Sequence, residues 1–131
     1  MSGAERAIEI AEAIVEAEET NKLLVYEPYE YQKRFHNAKD NLGKLARQRL
    51  LMAANKTGKT YCGAVELAIH LTGLYPDWWT GARFKSSVTA WAAGNTTGNT
   101  RDIVQAELIG EPGDPEEYGK GAIPKELIVG T

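Results

Sequence analysis

Residues 53–60 read Ala53-Ala54-Asn55-Lys56-Thr57-Gly58-Lys59-Thr60, and the prediction of the fold starts from them. This is the pattern of a Walker A phosphate-binding loop, with alanine in place of its first glycine. A loop of backbone N–H groups that opens onto a helix N-terminus attracts anions. In such loops the lysine, here Lys59, reaches the β- and γ-phosphates, and the following hydroxyl, here that of Thr60, binds Mg²⁺. The stretch therefore predicts a Mg-nucleoside triphosphate as the ligand.

The residues on both sides of the loop have the patterns that this motif requires, a strand before it and a helix after it. Residues 49–54, Arg49-Leu50-Leu51-Met52-Ala53-Ala54, form the short apolar run expected of a buried parallel strand. Residues 60–74 carry apolar side chains at helical spacing, with Gly73 near their end and Pro76 shortly after. The alternative is a glycine turn between two core elements, in which Lys59 is simply solvated.

Further along the chain, residues 87–94 form a second apolar run, and Thr100 is suited to cap a helix over residues 101–109. Strands that alternate with helices predict βαβ units, and hence an α/β fold with a parallel sheet flanked by helices. Residues 110–121 contain four glycines and two prolines, which predicts a loop. Residues 124–128 predict a short helix after that loop.

The composition is that of a single globular domain. The chain has 131 residues, of which 43% are hydrophobic and 25% charged. No apolar run approaches the roughly 20 residues that span a bilayer, and no signal peptide pattern opens the chain. Cys62 is the single cysteine, which excludes an intramolecular disulfide, and its position on the predicted helix favours a packing role.

Charge is distributed unevenly along the chain. Residues 1–20 contain one base and six acids, whereas residues 21–60 contain nine bases and three acids. The basic block coincides with the phosphate loop and its approach, which suits either a polyanionic ligand or a solvated lysine-rich loop. The net charge of −3 argues against a dedicated DNA-binding module.

The N-terminal residues predict an amphipathic helix over residues 1–20. Ser2-Gly3-Ala4-Glu5 has the spacing of a capping box, and an apolar stripe follows it, opposite a face rich in glutamate. Such a helix packs either on its own core or on a partner, and we expect the core. The side chains of Trp78 and Trp79, in a predicted loop, could likewise be buried in the chain's own core or exposed as an anchor for a partner. We expect them to be buried against the sheet.

Four stretches of the chain resemble the large terminase subunit of tailed bacteriophages, the motor that packages DNA into the capsid. They are the loop 53–60 and the segments Tyr29-Glu30-Tyr31-Gln32-Lys33-Arg34-Phe35-His36, Leu71-Thr72-Gly73-Leu74-Tyr75-Pro76-Asp77-Trp78-Trp79, and Trp91-Ala92-Ala93-Gly94 with Thr100-Arg101-Asp102. The resemblance runs from residue 25 to residue 130. It implies a partial RecA-like P-loop NTPase fold with ATP and Mg²⁺ as cofactors.

The resemblance also implies roles for particular residues. Gln32 would read the adenine edge, with Tyr31 beside it. The metal would be held by Thr60. The nucleotide would be bound by the loop residues Ala53, Asn55, Lys56, Thr57, Gly58, Lys59 and Thr60. Terminases often carry a catalytic arginine inside this loop. The basic residue inside the loop here is Lys56, and its ammonium group is a point charge, unlike the planar guanidinium of arginine. The resemblance makes Lys56 and Lys59 the catalytic candidates.

The partners implied by the resemblance are viral double-stranded DNA, the portal protein and the small terminase subunit, in the cytoplasm of the host bacterium and without a membrane. We expect residues 21–131 to be the N-terminal part of an ATPase domain, following the helix of residues 1–20. The acidic pair that ATP hydrolysis requires at the end of a later strand is absent, as is the nuclease domain of the family.

We therefore expect ATP binding without complete catalysis. An incomplete sheet would also leave an open edge through which the chain could self-associate. Two other functions remain open from the residues themselves. One is a different P-loop NTPase, such as a small kinase or a helicase-like protein. The other is a non-enzymatic assembly or interaction module that retains a P-loop fold.

Overall fold

The structure is a computed structural model that describes residues 2–129, and it is built from helices joined by long irregular segments. The α-helices are α1 (Gly3–Thr20), α2 (Lys22–Val25), α3 (Glu30–His36), α4 (Lys59–Thr72), α5 (Thr97–Asn99) and α6 (Ala106–Leu108). A π-helix, Thr100–Gln105, joins α5 to α6, and a short 3₁₀-helix spans Lys125–Leu127. The ends of the predicted ranges, at residues 1, 130 and 131, lie outside the described residues.

The predicted α/β fold with a parallel sheet is wrong for residues 2–129. The β-type pairing described there is one isolated antiparallel bridge, between Lys39 and Leu45. Residues 49–54 and 87–94 form no ladder, and Leu50 is 82% exposed. The backbone groups of a strand need a neighbouring strand as their partner, and a local apolar run cannot supply one. The partial RecA-like sheet and the open sheet edge predicted for self-association are therefore not found in the described residues.

Helix α1 forms as its sequence predicts but does not pack as expected. The capping box is confirmed, since the Ser2 hydroxyl accepts from Glu5 N at 3.2 Å and Glu5 Oε2 accepts from Ser2 N at 2.8 Å. No residue of α1 is buried, and its apolar stripe is exposed, with Ile8 and Val15 each more than half accessible. The expectation that α1 packs on the core is wrong.

The central helix is α4, which is confirmed close to its predicted bounds. Glycines in the left-handed conformation stand at both ends, Gly58 with φ 85° and Gly73 with φ 72°. Its buried side chains recur at helical spacing and form the core with residues from three other segments; the core residues are Ala64, Val65, Ala68, Ile69, Trp79, Leu108 and Ala122. A single helix therefore provides both the centre of the core and the end of the phosphate-loop motif.

The C-terminal segment folds back against the end of α6. Ala122 N donates to Glu107 O at 2.7 Å, and Ile123 N donates to Leu108 O at 2.9 Å. The predicted loop over 110–121 and the short helix after it are both confirmed. The predicted helix over 101–109 begins earlier than expected, because Thr96 rather than Thr100 provides the capping side chain.

Trp79 is buried as predicted, but against histidines rather than a sheet. Its ring lies 5.3 Å from that of His36 and 5.4 Å from that of His70, measured between centroids. Gly81 permits this packing, because a Cβ at that position would lie 2.3 Å from His36 O. Within residues 2–129, no helix combines the length and the apolar character needed to cross a bilayer.

Candidate functional site

The phosphate-loop motif ends at a helix N-terminus whose backbone donors are unpaired. Gly58 is the N-cap of α4, and its φ of 85° is one that glycine adopts without steric cost. The N–H groups of Gly58, Lys59, Thr60 and Tyr61 donate no hydrogen bond within residues 2–129. The first N–H groups of a helix have no intrahelical acceptor, and the helix dipole adds positive potential at the same place. This arrangement can bind an anion.

The side chain of Lys59 folds back onto the loop. Its Nζ donates to Ala54 O at 3.0 Å and also to Ala53 O. The Thr57 hydroxyl donates to the same Ala54 carbonyl at 2.7 Å, which closes the loop on itself. The ammonium group therefore lies beside the helix N-terminus, where it would add to the attraction for an anion.

Asn55 and Lys56 are exposed at the surface of the loop. Lys56 has φ 59°, so a residue with a side chain occupies the left-handed region that usually favours glycine. The strain is local, of about 1–2 kcal/mol. Backbone strain of this kind clusters at ligand sites.

Helix α3 contacts the loop through the two residues predicted to recognise a base. The Tyr31 hydroxyl donates to Thr57 O, and Gln32 Nε2 donates to Gly58 O at 3.2 Å. Gln32 is buried, and its Oε1 accepts from Tyr29 N at 2.8 Å, at the start of the helix. Both side chains thus fix the position of α3 relative to the loop.

A cavity of about 320 Å³ opens beside the loop. Its walls are aromatic and polar, and they include Tyr26, Tyr29, Gln32, Gly58 and Tyr61. Burial, followed by the nearby charge of Glu107, raises the pKa of Tyr61 above its ordinary value. The cavity shares Gly58 with the anion site, so one small molecule could occupy both.

Thr60 is exposed at the first turn of α4, consistent with access to a ligand. No group of three or more His, Cys, Asp or Glu side chains within residues 2–129 is arranged to hold a metal ion. A magnesium ion at the Thr60 hydroxyl would take its other ligands from phosphate oxygens and water, which is the usual coordination of Mg²⁺ beside a nucleotide.

Behind the loop lies a buried polar network centred on Glu66 of α4. Glu66 Oε2 lies 2.5 Å from His36 Nδ1, and Oε1 accepts from Arg49 Nη2 at 2.5 Å and lies 3.1 Å from His70 Nε2. Burial by itself raises the pKa of Glu66, but the hydrogen bonds from His36 and Arg49 outweigh it and hold that pKa below its ordinary value. Arg49 also donates to Phe35 O at 3.0 Å, so the network joins α3, α4 and the segment that enters the loop.

Cys62, His36 and Glu66 have the order of a nucleophile, base and acid, but their environment does not suit catalysis. Cys62 Sγ lies 3.6 Å from His36 Nε2, and both residues are fully buried. The Tyr26 hydroxyl lies 2.9 Å from the same nitrogen. Burial, with the charge of Glu66, raises the pKa of Cys62 to about 11, so the thiol stays protonated. The predicted packing role of Cys62 is confirmed by its burial.

The Glu66 network is the part of the site that sequence reasoning missed. A carboxylate among the apolar positions of α4, with His70 four residues later, was the available signal. Its other partners, His36 and Arg49, are 30 and 17 residues away in sequence, so no local spacing indicates the contact.

Comparison with known proteins places this geometry in context. The chain is 36% identical, over 140 aligned positions, to a protein from Salmonella phage P22 named "Terminase, large subunit". The alignment covers 95% of this chain but 27% of that protein, so the chain spans about a quarter of the length of this relative. The resemblance identified from the sequence is confirmed. No protein-family model matches the chain, and no solved structure matches it.

Proposed function

Because the chain is homologous over 95% of its length to a phage large terminase subunit, we propose that it is the nucleotide-binding part of a phage DNA-packaging motor. In this proposal it binds Mg-ATP at residues 53–60. Its working partners are viral double-stranded DNA, the portal protein and the small terminase subunit, in the cytoplasm of the host bacterium.

The observation that carries the proposal is the set of four unpaired N–H groups at the start of α4, next to the Lys59 ammonium group. Together they combine backbone donors, a helix dipole and the ammonium group of the first helical residue. Phosphate groups are bound by this combination of features. The β-phosphate would lie at the helix N-terminus, and Lys59 would turn from the carbonyls of Ala53 and Ala54 toward the β- and γ-phosphates.

The nucleobase would occupy the cavity beside Gly58. Tyr26, Tyr29 and Tyr61 provide aromatic surface there, which suits a planar ring. Gln32 lies in the same wall and keeps one amide hydrogen and one lone pair beyond its bonds to Gly58 O and Tyr29 N. Its proposed contact with the adenine edge would use these. Tyr31, which contacts Thr57 O, would support the loop from behind.

The proposed chemistry stops at binding. Thr60 would provide the protein ligand to Mg²⁺, and Lys56 would approach the γ-phosphate as a point charge. Hydrolysis needs a residue that orients the attacking water, and in this proposal that residue would be a carboxylate. Within residues 2–129 the buried carboxylate is Glu66, which is already engaged by His36 and Arg49. We therefore expect ATP to bind without sustained hydrolysis.

Calorimetric titration with Mg-ATP tests the proposal, with phosphate release followed in the same sample. We compare the unmodified chain with Lys59→Ala and with Lys85→Ala, which alters an exposed lysine outside the loop. A hydrogen-bonded charge contributes about 1.5–3 kcal/mol, so Lys59→Ala should weaken binding at least tenfold while Lys85→Ala leaves it unchanged. Equal affinities would exclude the phosphate loop as the site.

The principal alternative is a non-enzymatic interaction module. The exposed apolar stripe of α1 favours it, because an unpartnered stripe of this kind is a typical docking surface. A folded chain that does not bind Mg-ATP at all would make this alternative the better description. Steady phosphate release by the unmodified chain would instead favour a complete P-loop NTPase.

A further inference from the structure

Tyr26 contacts both the cavity beside Gly58 and the buried network behind the phosphate loop. Its side chain lines that cavity, in which the nucleobase is proposed to bind. Its hydroxyl lies 2.9 Å from His36 Nε2, and His36 Nδ1 lies 2.5 Å from Glu66 Oε2. One wall of the proposed nucleotide site is therefore hydrogen-bonded to the Glu66 network.

A continuous series of hydrogen bonds runs through this network to the segment that follows α4. We call the series the relay, and its members are Tyr26, His36, Glu66, His70 and Tyr75. Glu66 Oε1 lies 3.1 Å from His70 Nε2, and His70 Nδ1 lies 3.0 Å from the Tyr75 hydroxyl. Phe84 N donates to that hydroxyl at 2.9 Å. The relay thus joins the cavity wall to a backbone amide at residue 84.

The partners at the far end of the relay indicate where His70 carries its proton. The Tyr75 oxygen accepts from Phe84 N, which leaves its own O–H to donate to His70 Nδ1. A ring nitrogen that accepts a hydrogen bond carries no proton, so the proton of His70 is on Nε2. Nε2–H then donates to Glu66. His70 is therefore a neutral donor to the carboxylate.

Glu66 places His36 in the opposite tautomer. Although burial raises the pKa of Glu66, hydrogen bonds from His36 and Arg49 hold it below its ordinary value, so the carboxylate is ionised at neutral pH. An ionised carboxylate only accepts, which puts the His36 proton on Nδ1 and leaves Nε2 as an acceptor. The Tyr26 O–H donates to Nε2 and is fixed by that bond.

A second proton on His36 has no acceptor in this arrangement. The polar groups that face Nε2 are the Tyr26 hydroxyl and the Cys62 thiol, whose Sγ is 3.6 Å away. Burial raises the pKa of both groups, so each keeps its own proton. Arg49 Nη1, which donates to His36 O at 3.3 Å, adds a positive charge nearby. The other neighbouring rings are uncharged, those of Phe35, Trp78 and Trp79. Protonation of His36 would therefore break the bond that fixes Tyr26.

We propose that Glu66 acts through His36 to hold Tyr26 in the wall of the nucleotide cavity, so that the charge state of His36 controls nucleotide affinity. This inference rests on the proposed function, and it makes Glu66 and His36 positioning residues. With neutral His36 the Tyr26 ring is held against Tyr61, with 5.8 Å between the centroids. A nucleotide that binds this arrangement favours neutral His36, so affinity falls as the pH falls.

Calorimetric titration with Mg-ATP at about pH 7.5 and about pH 5.5 tests the inference, because histidine changes its charge in this range. The loss of affinity at the lower pH should be about fivefold larger in the unmodified chain than in Tyr26→Phe, the equivalent of one hydrogen bond. Tyr26→Phe has no hydroxyl for His36 to hold. Protonation of ATP itself affects every protein equally, so the difference between proteins isolates His36.

Tyr61→Phe is the matched control for this titration. Tyr61 is a half-buried tyrosine in the wall of the same cavity, but its hydroxyl makes no hydrogen bond within residues 2–129. Its loss of affinity between the two pH values should equal that of the unmodified chain. Circular dichroism at both pH values checks that all three proteins are folded.

Nuclear magnetic resonance of the histidine rings tests the relay without nucleotide. The chain has two histidines, so long-range correlation of ring hydrogens with ring nitrogens gives two sets of signals. At neutral pH, His36 should carry its proton on Nδ1 and His70 on Nε2. Glu66→Gln, which replaces the acceptor by an amide, should release His36 from that tautomer.

The outcomes separate this inference from the proposed function. Two histidines in the same tautomer, or equal losses of affinity in Tyr26→Phe and the unmodified chain, would overturn the inference and leave nucleotide binding intact. A folded chain that binds no Mg-ATP at either pH would overturn the proposed function, and the control of affinity with it.

Discussion

Gln32 Nε2 lies 3.2 Å from the carbonyl oxygen of Gly58, so the helix predicted to recognise the base is bonded to the cap of the helix predicted to bind the phosphates. The same side chain accepts from Tyr29 N at 2.8 Å. One buried amide thus spans the start of α3 and the start of α4. This residue therefore helps to fix the position of α3 relative to α4.

Gln32→Leu should therefore reduce both stability and nucleotide affinity. The change leaves Tyr29 N and Gly58 O without their side-chain partner, which should lower the free energy of unfolding by about 1–3 kcal/mol. Urea unfolding and Mg-ATP titration measure the two effects. Gln48→Leu is the matched control, because Gln48 is exposed and makes no side-chain hydrogen bond within residues 2–129. Similar losses in both variants would contradict the role given to Gln32.

Glu66 should make stability depend on pH in the acid range. Its folded pKa lies below the ordinary value of 4.5, through the hydrogen bonds from His36 and Arg49 that overcome the effect of burial. The folded protein therefore holds the ionised form more strongly than the unfolded chain does. This contribution is fully present above pH 4.5 and is lost as pH falls through the lower folded pKa.

Glu66→Gln tests that contribution. Arg49 would keep its charge but lose its carboxylate, and breaking such a buried pair costs about 3 kcal/mol. Urea midpoints measured from neutral to acid pH should show a lower and flatter profile for Glu66→Gln than for the unmodified chain. A variant profile parallel to that of the unmodified chain would show that another group causes the pH dependence.

Lys56 allows a test of backbone strain in the loop. Lys56 has φ 59°, in the left-handed region, where a β-branched side chain is poorly tolerated. Lys56→Val should therefore destabilise the chain by about 1–2 kcal/mol. Lys56→Gly removes the same charge without that steric conflict, so it should be at least as stable as the unmodified chain. Thermal unfolding of the three proteins distinguishes strain from loss of charge. Identical losses in both variants would exclude strain.

Gly110 should be the least replaceable glycine of the C-terminal loop. A Cβ there would lie 2.1 Å from Glu117 O, in a backbone with φ 128°. Gly113 also has a positive φ, of 92°, but nothing within 4 Å of its Cβ position. Gly110→Ala should therefore destabilise by about 2–4 kcal/mol and Gly113→Ala by about 1 kcal/mol. Denaturant midpoints measure the difference, and equal midpoints would contradict this packing.

Cys62 should react with thiol reagents only when the structure opens. It is fully buried, and its pKa is raised to about 11 by burial and by the charge of Glu66. Reaction with a disulfide reagent at neutral pH should be slow in the native chain and fast in denaturant. Rapid labelling of the native chain would mean that the His36 side of the core opens readily.

Sequence alone was sufficient for the elements whose stabilising groups are close in the chain. The capping box of Ser2 and Glu5, the extent of α4 and its C-terminal Gly73 were all predicted, because helices are stabilised by bonds between residues three or four apart. The phosphate-loop pattern was equally local. It identified the stretch in which Gly58 caps α4. Together with three other local stretches it carried the terminase resemblance that comparison confirms.

Tertiary structure decided everything that depends on distant partners. The apolar runs at 49–54 and 87–94 predicted strands, but strand pairing needs a neighbour, and residues 2–129 provide no ladder. The exposed stripe of α1 and the meeting of His36, Arg49 and Glu66 were decided in the same way. Periodicity in a sequence indicates which side chains are suited to burial. The tertiary structure determines which other groups are close enough to pack against them or to bond with them.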